Sequence, residues 1–182
     1  MIFSETRIRG AYVIVPEPHV DARGSFARLF CARDFEAHGL DATVAQISLS
    51  MNPRRATLRG MHYSVPPHAE AKVVRCVRGA VYDVLLDVRE GSASFGVWIA
   101  EELSARNGVA LYVPAGVAHG FQTLEDGSDV LYQMNEFYDP ACARGVRFDD
   151  PAFRIEWPSA DRIMSDRDGS YTDYGRERPI AE

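Results

Sequence analysis

The chain has 182 residues, 46% of them hydrophobic and 25% charged, with a net charge of −6 and a pI near 5.4. That length suits one domain with a full buried core, and the acidic balance argues against a nucleic-acid-binding body, which is usually basic. No apolar run approaches the length of a membrane span; a local basic pocket for a phosphorylated small molecule stays open.

In chain order, MIFSETRIRG opens with charges and without the apolar stretch of a leader. Ala11–Val15 reads as a strand stopped by Pro16. Arg33–His38 predicts one short helix with Gly39 as its stop. Lys72–Val77 runs through Arg78-Gly79 into Ala80–Val88, a β-branched and aromatic run. Phe95–Ala100 follows a Gly/Ser turn, and Val109–Val113 stops at Pro114-Ala115-Gly116. Phe121–Leu124 and Val130–Met134 flank the turn-rich Glu125–Asp129, which predicts a hairpin. Beyond Trp157 the chain is rich in Asp, Arg, Ser and Pro, either a loose tail or an arm packed on the body. With turn signals roughly every ten residues, the expectation is an all-β sandwich or barrel, a jelly roll with a few short helices; the motif resemblances given below make it a cupin-type jelly-roll barrel. Without repeats or linkers, residues 1–182 read as a single unit. Cys31, Cys76 and Cys142 are odd in number and lack metal-ligand spacing, as expected of reduced thiols in a cytoplasmic protein.

The candidate chemistry centres on RGMHYSVPPHAEAK, residues 59–72, which holds two of the five histidines and the only lysine among 20 basic residues. Pro114-Ala115-Gly116-Val117-Ala118-His119 resembles the second metal-binding motif of cupin barrels. In the first motif, counting back from Gly79 and on from His68 both reach Lys72, where a glutamate ligand would stand, and the other histidine of the pair falls on Pro66. An ammonium has no lone pair and repels a divalent ion, so no metal is expected; His68, next to two prolines, reads as an exposed loop histidine. His62, Lys72 and His119 lie on segments that would line one barrel cavity. A neutral histidine, with a reference pKa of about 6.5, can take a proton near neutral pH. Lys72 could hold an oxygen that becomes negative. The pairing suits removal of a proton alpha to a carbonyl.

LRGMHY, AKVVRCVRGAVYDVLLDVR, SASFGVWIAEELSA, LYVPAGVAHGF, VLYQ and EWP, with DARGSF near the N-terminus, together resemble the dTDP-4-dehydrorhamnose 3,5-epimerase family over nearly the whole chain. The resemblance implies a metal- and cofactor-free jelly-roll homodimer acting on nucleotide-linked 4-keto-6-deoxy sugars, inverting carbons 3 and 5. It further implies His62 as the base, Asp168 in SDRD as the carboxylate that orients it, and Tyr132 as the acid on the opposite sugar face. Lys72 and His119 match groups near the ketone and the pyranose. Arg59 and Arg23 match diphosphate contacts, Gln46, Ser48 and Phe26 nucleotide-pocket positions, and Arg167 a substrate contact. The N-terminal segment, with Arg23 and Phe26, would serve the partner subunit's site. Departures fall at Arg28 and Ala143, where members often carry acidic residues, at Ser48 in place of Asn and at Ser64 in place of Gln. The loop from Gln46 to His62 is one residue longer. These changes sit at binding positions and leave open a member acting at one carbon or on a GDP-, CDP- or UDP-linked sugar. A metal-dependent cupin enzyme and a non-catalytic nucleotide-sugar-binding module are the competing readings.

Overall fold

The computed structural model describes residues 1–175; the last stretch of the expected C-terminal arm lies outside them. Two antiparallel sheets carry the fold. The six-stranded sheet comprises β1 (Ile2–Glu5), β2 (Tyr12–Val15), β5 (Gln46–Asn52), β7 (Lys72–Arg78), β10 (Ala110–Val113) and β12 (Ser128–Met134), in the order β1-β2-β10-β7-β12-β5. The five-stranded sheet comprises β6 (Leu58–Ser64), β8 (Ala80–Asp87), β9 (Trp98–Ser104), β11 (Val117–Thr123) and β13 (Ala143–Gly145), in the order β13-β6-β11-β8-β9. A separate hairpin joins β3 (His19–Asp21) to β4 (Gly24–Phe26). Two short helices, α1 (Ala32–Ala37) and α2 (Asp166–Gly169), complete the elements.

Period-2 alternation builds the layers. Val74, Cys76, Val81, Leu85, Leu111, Phe121 and Val130 point between the sheets and form the central core. Ile14, Val73, Ala110 and Tyr112 point the other way from the six-stranded sheet and are covered by Phe35 of α1. The outer face of the five-stranded sheet, with Met61, Val84, Leu86 and Ala118, is covered by Val146, Phe153, Ile155 and Trp157. The segment after Trp157 is thus an arm: Gln122 Nε2 donates to the carbonyls of Ser159 and Asp161, and Ile163 bridges to Thr57.

Successive strands repeatedly change sheet, as a jelly roll requires. Gly79 alone connects β7 to β8 in the facing sheet, at φ +70°, and a Cβ there would lie 2.5 Å from Ser128 Oγ. The predicted hairpin between residues 121 and 134 is corrected: its turn exists, but β11 pairs with β6 and β8 while β12 pairs with β5 and β7. The strand expected at Phe95–Ala100 begins at Trp98, because Gly96 turns the chain at φ +77°. The helix expected at Arg33–His38 lies one residue earlier, followed by Gly39 at φ +70°. No helix of the described residues is long and apolar enough to cross a membrane. Cys31, Cys76 and Cys142 are free thiols.

Candidate active site

A cavity of about 450 Å³ opens between the sheets at one end of the barrel. Its two walls carry different chemistry. The five-stranded sheet supplies Arg59 and His62 from β6 and His119 from β11; the six-stranded sheet supplies Ser48 and Ser50 from β5, Lys72 from β7, and Tyr132 and Met134 from β12. Eight of the eleven expected site residues line it: Ser48, Arg59, His62, Lys72, His119, Tyr132, Arg167 and Asp168.

His62 and His119 are cross-strand partners on β6 and β11. A pair of glycines makes that approach possible. A Cβ on Gly60 would lie 2.6 Å from Gly120 Cα, and one on Gly120 would lie 2.8 Å from the Arg59 carbonyl. Only hydrogens fit there.

Asp168 arrives from the arm. Ser165 caps α2 by accepting from the Asp168 amide at 3.1 Å, which turns the aspartate inward. Asp168 Oδ1 then lies 2.7 Å from His62 Nε2, and Oδ2 accepts from the Gly60 amide at 3.2 Å. Burial pushes this carboxyl up, but the hydrogen bond and charge of His62, with the Gly60 and Ser165 contacts, outweigh it and hold the carboxyl below its ordinary range. An ionised carboxylate only accepts, so Nε2 carries the hydrogen and Nδ1 is left with the lone pair.

A second histidine–carboxylate pair sits deeper. His119 Nε2 lies 2.9 and 3.0 Å from the two oxygens of Asp83, and both side chains are buried. Burial pushes Asp83 up, while His119 and Lys72 pull it down. The His119 ring meets Tyr132 edge-on, centroids 5.7 Å apart. Burial pushes the Tyr132 phenol well up, the Asp83 carboxylate adds to this and Arg59 opposes it. Tyr132 therefore holds its proton at neutral pH. Arg59 is aimed by Asn52, whose Oδ1 accepts from Nε at 2.8 Å while its amide is tied to the Ser128 carbonyl.

Three expected residues lie outside this cavity. Arg23 and Phe26 are on the exposed β3–β4 hairpin, where Arg23 pairs with Asp21 at 2.6 Å. Gln46 adjoins the wall indirectly, its Nε2 3.7 Å from Met134 Sδ. Conversely, Glu70, Tyr138 and Arg144 line the cavity and Asp83 backs it, without having been singled out from the sequence. Asp83 had a signal: a carboxylate inside the apolar run AVYDVLLDV. The departures Ser64 and Ala143 also line the cavity, as cross-strand partners on β6 and β13, whereas Arg28 is exposed elsewhere.

The donor chemistry does not fit a metal ion. Each cavity histidine gives its Nε2 to a carboxylate, and Glu70 is taken by the Lys72 ammonium at 2.6 Å. Among the described residues no group of three or more His, Cys, Asp or Glu could hold one. Arg59, Lys72, Arg144 and Arg167 against Glu70 and Asp168 leave the cavity wall positive in an acidic chain, which suits an anionic ligand.

Fold and cavity define a class: a cupin-type jelly roll whose mouth is cation-lined and equipped for proton transfer. The family model for dTDP-4-dehydrorhamnose 3,5-epimerase matches residues 5–174. A dTDP-4-dehydrorhamnose 3,5-epimerase of Sinorhizobium fredii is 39% identical over 171 residues, 93% of this chain and 88% of that protein. The crystal structure of dTDP-4-dehydrorhamnose 3,5-epimerase from Elizabethkingia anophelis NUHP1 superposes with a TM-score of 0.92 at 36% identity, covering 96% of each chain. ChmJ, a 3'-monoepimerase from Streptomyces bikiniensis solved in complex with dTDP-quinovose, gives a TM-score of 0.85 at 37% identity, over 91% of this chain and 84% of its own. The chain belongs to the dTDP-4-dehydrorhamnose 3,5-epimerase family.

Proposed function

We propose that this protein epimerises a dTDP-linked 4-keto-6-deoxy sugar, converting dTDP-4-dehydro-6-deoxyglucose to dTDP-4-dehydrorhamnose. The observation that carries the reading is the placement of His62 and Tyr132 on facing sheets around one cavity, with Asp168 2.7 Å from the His62 ring. His62 Nδ1 removes the proton alpha to the ketone, and Asp168 stabilises the imidazolium that forms. The electron pair moves to the ketone oxygen, where Lys72 meets the developing charge. Tyr132 returns a proton from the other face, and the carbon is inverted. His119 frames the pyranose; Ser48, Arg59 and Arg167 take the nucleotide and its diphosphate, for which guanidinium forks are suited.

The test is incubation with dTDP-4-dehydro-6-deoxyglucose in D2O, read by NMR, beside the GDP-, CDP- and UDP-linked sugars. Deuterium entering carbons 3 and 5 of the dTDP sugar is the expected result; no uptake from any of the four would refute the reading. Label confined to carbon 3 would place the chain with the 3'-monoepimerase it resembles equally in identity.

The working unit in this reading is a homodimer in the cytoplasm. Three free thiols support the compartment. The outer face of β5 supports the dimer: Ile47, Leu49 and Met51 are 58%, 50% and 68% exposed on an edge strand. In the same cross-strand row, through Leu131, stands Arg75, buried to 4% exposure with its Nε unpartnered. Burial lowers its guanidinium to about 10, and its Nη2 donates to the Leu29 carbonyl at 3.0 Å. The hairpin bearing Arg23 and Phe26 then reaches the partner's cavity.

A further inference from the structure

Lys72 does not stand alone on the cavity wall. Its ammonium lies 2.6 Å from Glu70 Oε1, and the two side chains are only 8% and 11% exposed. A lysine that only neutralised a diphosphate would not need a private carboxylate. The backbone carrying the pair is fixed from the neighbouring strand: the Ala71 amide donates to Asn135 Oδ1 at 2.7 Å, and the Asn135 amide donates to the Ala71 carbonyl at 3.1 Å. Asn135 is held in turn by Asp41 at 2.6 Å. Residues 70 and 72, two apart in an extended segment, therefore project to the same side from a clamped Ala71.

We infer that Glu70 is a positioning residue for the reaction, pinning the Lys72 ammonium at the point where the ketone oxygen becomes negative. The inference rests on the proposed epimerase reading. Two consequences follow from the chemistry. Lysine's four-carbon stem is flexible and its head a compact charge; a single short charge-assisted bond from a fixed carboxylate selects one rotamer. The other two ammonium N–H bonds remain for substrate. Before proton transfer the pair is neutral, so Lys72 offers little to a diphosphate, which is left to Arg59, Arg144 and Arg167. When the enolate forms, its oxygen takes one of the remaining N–H bonds on the pinned ammonium, and that bond strengthens as the negative charge develops. That is an effect on turnover rather than on substrate affinity.

The experiment is a double-mutant cycle on the full chain with dTDP-4-dehydro-6-deoxyglucose, measuring kcat and KM separately. Glu70→Gln keeps shape and volume and removes the charge. It should lower kcat by about tenfold or more with KM changed by less than about threefold, since a transition-state interaction is weakened. Lys72→Met should lower kcat further. Adding Glu70→Gln to Lys72→Met should cost nothing more, because a residue acting through Lys72 has no effect without it. Glu70→Asp, which keeps the charge on a shorter stem, guards against a folding defect special to Gln and should also lower kcat with KM held. Unchanged kcat in Glu70→Gln, or losses that multiply in the double variant, overturns the inference and leaves the epimerase reading intact. An unmodified chain without turnover overturns both.

Discussion

At the scale of single residues, the two histidines of the cavity differ by their surroundings. His62 is 45% exposed at its side chain and meets a carboxylate on one nitrogen; His119 is 5% exposed and grips both oxygens of Asp83. The half-open ring can meet substrate and exchange protons, while the closed one is held as part of the wall. His62→Asn should therefore reduce turnover by about 10²–10⁴-fold, the usual loss for a general base, measured as the rate of deuterium uptake. Asp168→Asn should cost a comparable factor by a different route. Its amide can donate to Nε2 and force the hydrogen onto Nδ1, removing the lone pair that does the work. The residue chemistry was legible in the sequence where it was rare: one lysine among nineteen arginines, and two histidines within the same fourteen-residue stretch. Asp168 was not legible from local pattern. It lies 106 residues from His62, and only the resemblance pointed to it. Glu70 escaped notice because a carboxylate two residues from a lysine reads as solvated charge until burial is known.

At the scale of elements, backbone fit governs where the functional side chains meet. Gly120 has no room for a methyl group between Met61 Sδ, at 2.7 Å, and the Arg59 carbonyl. Gly120→Ala should push β11 from β6, separate His62 from His119, and destabilise the fold by about 1–3 kcal/mol, as overpacking does; thermal unfolding and deuterium uptake would both register it. The end of β8 makes a second prediction. Asp87 is fully buried and accepts from the Arg89 amide and guanidinium and from Ser92 and Ser94. Burial pushes its carboxyl up, but these donors hold it well below the ordinary carboxylate range. A depressed folded value means the stabilisation is complete above the unfolded carboxylate value of about 3.9 and drains away as pH falls below it. Asp87→Asn should lower Tm at neutral pH and flatten its decline in acid, as differential scanning calorimetry would read. Element patterns explain what the sequence concealed. β5 is inverted relative to a core strand: Ser48, Ser50 and Asn52 face inward, because part of the barrel interior is a polar cavity, while Ile47, Leu49 and Met51 face out. The turn at Glu125–Asp129 was a sound local signal, but local signals do not say that the flanking strands enter different sheets.

At the scale of the whole molecule, two surfaces contrast. The chain carries −6 overall, yet its cavity mouth is lined by Arg59, Arg144 and Arg167. Elsewhere, the outward row of β5 exposes apolar side chains on a free strand edge, which soluble proteins seldom leave uncovered. Light scattering should give twice the chain mass of 20.3 kDa, and Leu49→Glu with Met51→Glu should halve it, since like charges would face each other across the contact. If the β3–β4 hairpin serves the neighbouring cavity, that monomer should also lose nucleotide affinity, a loss isothermal calorimetry with dTDP would read. The arm bears on how the protein is made. Every strand of both sheets precedes residue 146, but the carboxylate paired to His62 comes from Asp168, on the arm that follows them. A ribosome would thus release the barrel's hydrophobic core for folding before it delivers the group that completes the base. A chain ending before Arg167 would keep every strand of both sheets yet lack both the carboxylate paired to His62 and the Arg167 guanidinium of the cavity, so the barrel is laid down before its chemistry.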